Sequence, residues 1–146
     1  MRRLASAVGV LTAHGPDEPV GMAATSITSL TMDPPAILVC VNRSASIHAC
    51  LQEGGNFCVN LLSRHQRDIS SAFGSSAKRE ERFAGGHWST DAETGLPWLD
   101  DAQANLTCRV AKMIPYGTHS IVIGEVEAVR LSDTVEPLIY QDGAYL

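Results

Sequence analysis

The stretch His119-Ser120-Ile121-Val122-Ile123-Gly124-Glu125-Val126-Glu127-Ala128-Val129-Arg130-Leu131 decides the fold. It is rich in β-branched residues and reads as one long strand, with successive side chains on opposite faces. Ile121 and Ile123 then project to one side and Val122 to the other, so both faces are apolar near its start. Past Gly124, Glu125 and Glu127 take one side while Val126 and Ala128 take the other. A sheet wetted on one side alternates throughout. Two apolar faces call for two covers: one side fills a barrel, and the other meets a helix or a second subunit.

Outward from that strand the pattern recurs. Segments rich in Val, Ile, Leu and Thr at 5–13, 20–32, 36–42, 57–62, 104–113 and 137–141 read as further strands. His14-Gly15-Pro16-Asp17 is a turn by composition and joins the first two as a hairpin. Asp33-Pro34-Pro35 breaks the ladder, because neither proline has an N–H to give it. Helices are few and short. Ser44 to Glu53 reads as one, stopped by Gly54-Gly55. Ser63 and Gln66 have capping-box spacing, and Ile69, Ala72 and Phe73 then share a helical face as far as Gly74. A charged third helix is expected from Ala77 to Phe83. Residues 84–103 are the least regular, and Trp88 and Trp98 are expected to pack this loop onto the barrel. The chain therefore reads as mainly β with short helices, a single small antiparallel barrel domain over residues 1–146.

With 146 residues, 45% of them apolar, the chain is long enough to bury a core without staples. No apolar run reaches the roughly 18 to 20 residues of a membrane span. Met1-Arg2-Arg3-Leu4 resembles the charged start of an export signal. The apolar stretch behind it is short and reads as a strand, so a cytoplasmic protein is expected. Cys40, Cys50, Cys58 and Cys108 contain no C-x-x-C spacing and are expected as free thiols, most of them buried. A net charge of −5 argues against nucleic-acid binding. Even so, Arg64, Arg67, Lys78, Arg79 and Arg82 place five of the eleven basic residues close together. That cluster reads equally as a solvated helix face or as a landing site for a small anion. The phosphate-loop, dinucleotide-loop, metalloprotease and nucleophile-elbow motifs are absent. His48 and Cys50 have no second ligand pair beside them, so no metal is expected.

Two segments carry candidate chemistry. Gly21-Met22-Ala23-Ala24-Thr25-Ser26-Ile27-Thr28-Ser29-Leu30-Thr31 is a strand poor in bulk, which lets a flat ligand lie against backbone N–H and C=O groups. It also reads as a tightly packed barrel strand. In Val41-Asn42-Arg43-Ser44-Ala45-Ser46-Ile47 a strand gives way to a helix with an arginine and two serines at the junction. Free N–H groups, hydroxyls and a guanidinium suit a phosphate. Plain N-capping by Ser44 is the other explanation, and it leaves Arg43 without a role.

Taken together, the run from Gly21 to Ser46, with its Asp33-Pro34-Pro35 break, resembles the flavin reductase-like family, whose members share an FMN-binding split β-barrel. The likeness continues through Phe57-Cys58-Val59-Asn60-Leu61-Leu62-Ser63, Arg82-Phe83-Ala84-Gly85, Gly95-Leu96-Pro97-Trp98-Leu99, Gly117-Thr118-His119 and Pro137-Leu138-Ile139-Tyr140. It thus covers nearly the whole chain. The resemblance implies an NAD(P)H-dependent flavin reductase in which hydride passes from nicotinamide C4 to flavin N5. Ala23, Ala24, Thr25 and Ser26 would hold the isoalloxazine edge and ribityl chain, and Asn42, Arg43, Ser44 and Ser46 the phosphate. Arg82 and Phe83, with Lys78 and Arg79, would approach the flavin or nicotinamide, and His119 would lie in the nicotinamide pocket. Thr118 stands where the family usually has aspartate, and Thr25 where asparagine is common. The resemblance further implies FMN or FAD with NADH or NADPH, a homodimer, and delivery of reduced flavin to a monooxygenase component acting on aromatic compounds. A flavin- or haem-binding module without turnover is the alternative.

Overall fold

The long hairpin at the centre is built from β9 (Ala104–Tyr116) and β10 (His119–Leu131), joined by Gly117-Thr118 with Gly117 at a φ of 57°. The computed structural model describes residues 1–146. The remaining strands are β1 (Ser6–Ala7), β2 (Gly9–His14), β3 (Pro19–Ala24), β4 (Ile27–Met32), β5 (Pro35–Asn42), β6 (Asn56–Leu61), β7 (Trp88–Thr90), β8 (Pro97–Leu99), β11 (Ile139–Gln141) and β12 (Ala144–Tyr145). One α-helix, α1 (Arg67–Gly74), and two 3₁₀ turns, Ser46–Cys50 and Ser76–Glu81, complete the chain. Seven strands form one antiparallel sheet in the order β3-β2-β6-β9-β10-β5-β4. It curls into a split barrel with a mainly β architecture, as expected.

The barrel interior holds Leu11, Val39, Val41, Phe57, Val59, Val110 and Val122, all essentially inaccessible to solvent. Val122 is the inward residue of the deciding stretch. Gly124 follows because a side chain there would strike the Phe57 ring, 2.6 Å from an added Cβ. Two bulges strengthen the curl of this hairpin, one at Ile123/Gly124 and one at Val126/Ala128. Glu125 and Glu127 both pair with Arg109 on β9. Ile121 and Ile123 face outward with Leu38 and Cys40 and stay half-exposed. The helical segments pack on β2 and β3 instead.

A second apolar layer lies behind β2, where Val8, Val10, Leu62, Phe73, Leu99, Ala102 and Leu138 cluster with Phe83 and Trp88. Residues 84–103 are anchored there by buried polar groups. Asn60 Oδ1 accepts from the Leu99 N–H at 2.9 Å and from Asn105 Nδ2 at 2.8 Å, while Asn60 Nδ2 donates to the Val10 carbonyl at 2.9 Å. Thr12 Oγ1 donates to the Pro97 carbonyl at 2.6 Å. Trp88 sits against Phe73 and Phe83, and Trp98 lies under the Arg130 guanidinium, 4.2 Å from the ring centroid.

Several local expectations needed revision. The segment 5–13 is two strands, β1 and β2, kinked at Val8, whose N–H and C=O bond to the Leu138 carbonyl and the Leu62 N–H. The segment 20–32 is not one strand either: it breaks at Thr25-Ser26 into β3 and β4, which lie at opposite ends of the sheet. The helix expected over 44–53 is the 3₁₀ turn Ser46–Cys50, and the charged one is the 3₁₀ turn Ser76–Glu81. At the α1 entry only half of a capping box forms. The Ser63 N–H donates to Gln66 Oε1 at 2.9 Å, while no side chain caps the first turn.

Asn60→Leu leaves the buried Leu99 N–H without its acceptor and the Asn105 amide with the Leu99 carbonyl alone. The expected cost is about 3 kcal/mol, read as a lower urea midpoint at unchanged slope. All four cysteines are free. Burial pushes the Cys58 and Cys108 thiols from the ordinary 9.0 up to about 12. In the unfolded chain these thiols ionise near pH 9 while the folded ones stay protonated, so their stabilisation is complete below that pH. It is lost as pH rises toward about 12. Urea midpoints measured across this alkaline range should fall, and fall less in the Cys58→Ala/Cys108→Ala double variant.

Candidate functional site

The break at Thr25-Ser26 creates the site. β3 pairs with β2 alone, and β4 with β5 alone, so the barrel has a seam although these two strands are consecutive in sequence. Ser26 already belongs to the β4 side of the seam and extends the pairing with β5: its carbonyl accepts the Cys40 N–H at 3.2 Å, and its hydroxyl donates to the Cys40 carbonyl at 3.0 Å. Gly21 shows which way the free edge of β3 points, since its carbonyl turns away from β2 and accepts Arg82 Nη1 at 2.8 Å. Backbone direction alternates along a strand, so the N–H and C=O of Ala23 point the same way. Thr25, just beyond, has no backbone partner.

This open edge faces a cleft of about 500 Å³. Ala23, Ala24 and Thr25 form one side, and Ser70, Ser71 and Gly74 of α1 form another with Ser75 and Lys78. The end of the helix lies beside β3: an added Cβ at Gly74 would sit at ordinary contact distance, 3.9 Å, from the Ala23 methyl. Tyr140 and Tyr145 close the far side. Two further hollows continue the line of the strand. One of about 430 Å³ holds Thr25, Ser26, Tyr140 and Asp142. The other, of about 360 Å³, brings Gly21, Ser46, Arg79, Arg82 and Phe83 together.

Arg82 is a clamp in this arrangement. Nε donates to the Ala72 carbonyl at 3.3 Å, Nη1 to Gly21 at 2.8 Å and Nη2 to Ser75 at 3.2 Å. Burial, and then the neighbouring Arg79, pulls its pKa below the ordinary arginine value. Phe83 beside it is packed edge-on against Phe73 at 5.1 Å and against Trp88 at 4.9 Å. Together they tie the end of α1 to the free edge of β3. Lys78 and Arg79 form no ion pair and remain exposed cations at the rim.

The end of β5 gathers a second group. Asn42 lies opposite His119 in the β5–β10 ladder, and the Arg43 N–H donates to the Thr118 carbonyl at 2.9 Å. Asn42 Oδ1 accepts both the Ser44 N–H at 2.9 Å and the Ser44 hydroxyl at 2.8 Å. Ser44 therefore closes a turn on Asn42 and does not cap the 3₁₀ turn, whose entry residue is Ala45 without a side-chain bond. The Arg43 side chain is exposed and unpaired. His119 is exposed as well, with Nδ1 sharing a hydrogen bond of 2.8 Å with the Thr118 hydroxyl. Residue 118 thus still orients the imidazole, through a neutral hydroxyl.

Of the residues expected from sequence, Ala23, Ala24, Thr25 and Ser26 are together on the seam. Asn42, Arg43, Ser44 and His119 are together at the end of β5. Ser46, Arg82 and Phe83 meet around Gly21. The segment 42–46 and strand β3 connect the three groups. Sequence reasoning missed Ser70, Ser71, Ser75, Tyr140 and Tyr145. The signal that could have found the tyrosines is Asp142-Gly143, a two-residue hairpin turn that places them side by side.

The sequence model of the flavin reductase-like domain family matches residues 1–146. The FMN reductase (NADH) RutF of Stutzerimonas stutzeri strain A1501 is 44% identical over 140 residues, covering 96% of this chain and 80% of that protein. The reductase component of the FADH(2)-dependent resorcinol hydroxylase of Rhizobium sp. strain MTP-10005 is 38% identical over 147 residues, covering 99% and 82%. Among solved structures, the NADH:FAD oxidoreductase SgcE6 of Streptomyces globisporus C-1027, in complex with NAD and FAD fragments, superposes with a TM-score of 0.91. Its identity is 29%, with 99% of this chain and 86% of that one covered.

Replacing Arg82 tests the clamp. Arg82→Ala should cost about 2 kcal/mol in urea unfolding, since three carbonyls lose a donor. Arg82→Lys should recover only part of it, because an ammonium lacks the planar fork that reaches three acceptors at once.

Proposed function

This chain belongs to the flavin reductase-like family, and from that premise we propose that it is a flavin reductase that oxidises NADH and delivers reduced flavin to a monooxygenase component. The observation that carries the reading is the unpaired edge of β3 at Ala23–Thr25, lined by small residues and open to the cleft. A flat heterocycle with a polar rim fits such an edge. Backbone groups approach it without intervening bulk, and no polar atom has to be desolvated without a partner.

When bound, flavin supplies the redox chemistry, taking hydride at N5 from C4 of the reduced nicotinamide. The chain's own residues bind and orient. Ala23 and Thr25 offer N–H and C=O groups that are preorganised by the strand, so they need no rearrangement as charge develops at the ring edge. Asn42, Arg43, Ser44 and Ser46 offer amide, guanidinium and hydroxyl donors for a phosphate, with Arg43 free to pair. His119, steadied by Thr118, seats the nicotinamide carboxamide. Lys78 and Arg79 draw two anionic nucleotides toward one rim of an otherwise acidic protein. No side chain has to act as a general base, because alignment of two rings and exclusion of water do the work.

FMN is the first choice of flavin, with FAD accommodated if its adenosine tail stays in solvent. The functional unit is a homodimer, supported by the half-exposed Leu38, Cys40, Ile121 and Ile123 on the outer face of β5 and β10.

Purified protein should consume NADH only when FMN or FAD is added, at a rate that rises with flavin concentration. Bound flavin that stays oxidised in excess NADH would instead identify a binding module without turnover. His119→Ala should raise the KM for NADH roughly tenfold, about 1.4 kcal/mol of lost binding, with flavin affinity unchanged.

A further inference from the structure

The far wall of the cleft is an aromatic hairpin. β11 and β12 are joined by Asp142-Gly143, with φ values of 53° and 88°. Both central residues lie in the left-handed region, as the tightest two-residue hairpin requires, and only Gly, Asn and Asp adopt it readily. The hairpin is held firmly. Leu138 is buried and bonded through N–H and C=O to Leu62 and Val8, the Asp142 N–H donates to the Arg2 carbonyl at 2.8 Å, and the Leu146 N–H to Ile139 at 2.9 Å.

On this support Tyr140 and Tyr145 sit opposite one another, their rings edge-to-face at 5.3 Å. Tyr145 is fixed further by a hydrogen bond of 2.8 Å between its hydroxyl and that of Ser70 on α1. Tyr140 is different: it is 37% exposed, and its hydroxyl bonds to no group of the chain. A rigidly mounted aromatic face left half bare costs solvation without contributing to the core. Both rings border the same cleft as Ala23 and Thr25, and Tyr140 also borders the neighbouring hollow.

We propose that Tyr140 and Tyr145 are ring-contacting residues of the flavin site, forming the wall against which the isoalloxazine lies while its polar rim meets the edge of β3. This rests on the flavin reductase reading. The β3 edge supplies directional hydrogen bonds, and the tyrosine wall supplies apolar, sequence-independent contact to a planar ring. Tyr145 sets the position of Tyr140 through the Ser70 bond, so the wall is assembled before a ligand arrives.

The test follows flavin emission and NADH oxidation in the full chain, with FMN and FAD as probes. A tyrosine in contact with an excited flavin quenches it by electron donation, whereas phenylalanine fills the same space and donates far less readily. Wild-type protein should quench bound FMN. Tyr140→Phe should keep the affinity and recover part of the emission, a change that a purely structural role would not produce. Tyr140→Leu should raise the Kd roughly three- to tenfold, the worth of one aromatic contact. If both variants bind and quench FMN as the wild type does while NADH oxidation continues, the wall assignment is overturned and the reductase reading stands. If wild-type protein neither binds a flavin nor oxidises NADH, both fall together.

Discussion

Everything in this molecule depends on a seam left open between β3 and β4. β3 and β4 follow one another with only Thr25 and Ser26 between them, yet the pairing order sends them to opposite ends of the sheet. Thr25-Ser26 carries the chain from one end of the sheet to the other instead of turning it back as a hairpin. One edge of each is left without a ladder, and Ser26 extends the β4–β5 pairing by one residue through Cys40. An edge of this kind is a hazard in most β proteins, because its N–H and C=O groups recruit other strands. Here α1 and the Ser76–Glu81 turn are laid alongside it, held off by a cleft and fastened by Arg82. The exposed edge becomes one wall of a guarded cleft.

The second layer exists to make that guard rigid. Phe73 and Phe83 pack with Trp88 over Val10 and Leu99, and the Asn60 network ties the 84–103 segment to β2 and β9. Polar groups buried this deeply are tolerated because every one is satisfied. The same layer explains why Gly21 must lack a side chain: an added Cβ would lie 2.7 Å from the Phe73 ring and 2.8 Å from the Leu11 carbonyl. The small-residue strand is thus shaped from both directions, by the helix layer near Gly21 and by the cleft at Ala23 and Thr25.

Much of this was legible in the sequence. The two apolar faces of 119–131 called for a barrel interior on one side and a helix or second subunit on the other; Val122 fills the interior, while Ile121 faces outward with the helical segments packed elsewhere, on β2 and β3. The lack of bulk over 21–31 read as a surface for a flat ligand or a tightly packed strand, and the free edge of β3 falls within that stretch. What stayed hidden was non-local. Nothing in Thr25-Ser26 marks a strand break, since both residues suit a strand, and only the strand order separates their neighbours. The basic cluster read as one feature, but Arg82 spends its donors on carbonyls contributed by Gly21, Ala72 and Ser75, while Lys78 and Arg79 stay free. Ser44 is a reasonable helix cap by residue type, yet its hydroxyl donates to Asn42 two residues earlier, and the 3₁₀ turn starts after Ala45 with no side-chain cap. Short elements such as β7, β8 and β12 are too brief to carry a period.

The placement of the two tryptophans has a practical corollary. Trp88 belongs to the aromatic triad behind β2, and Trp98 lies beneath Arg130, so both reside in the small β7–β8 ribbon. The seven-stranded sheet itself contains no indole. Intrinsic emission from this protein is therefore a local gauge of the ribbon and its docking, and barrel opening must be followed by a backbone probe such as amide circular dichroism. Divergence between the two signals would map out whether the outer layer detaches before the barrel melts.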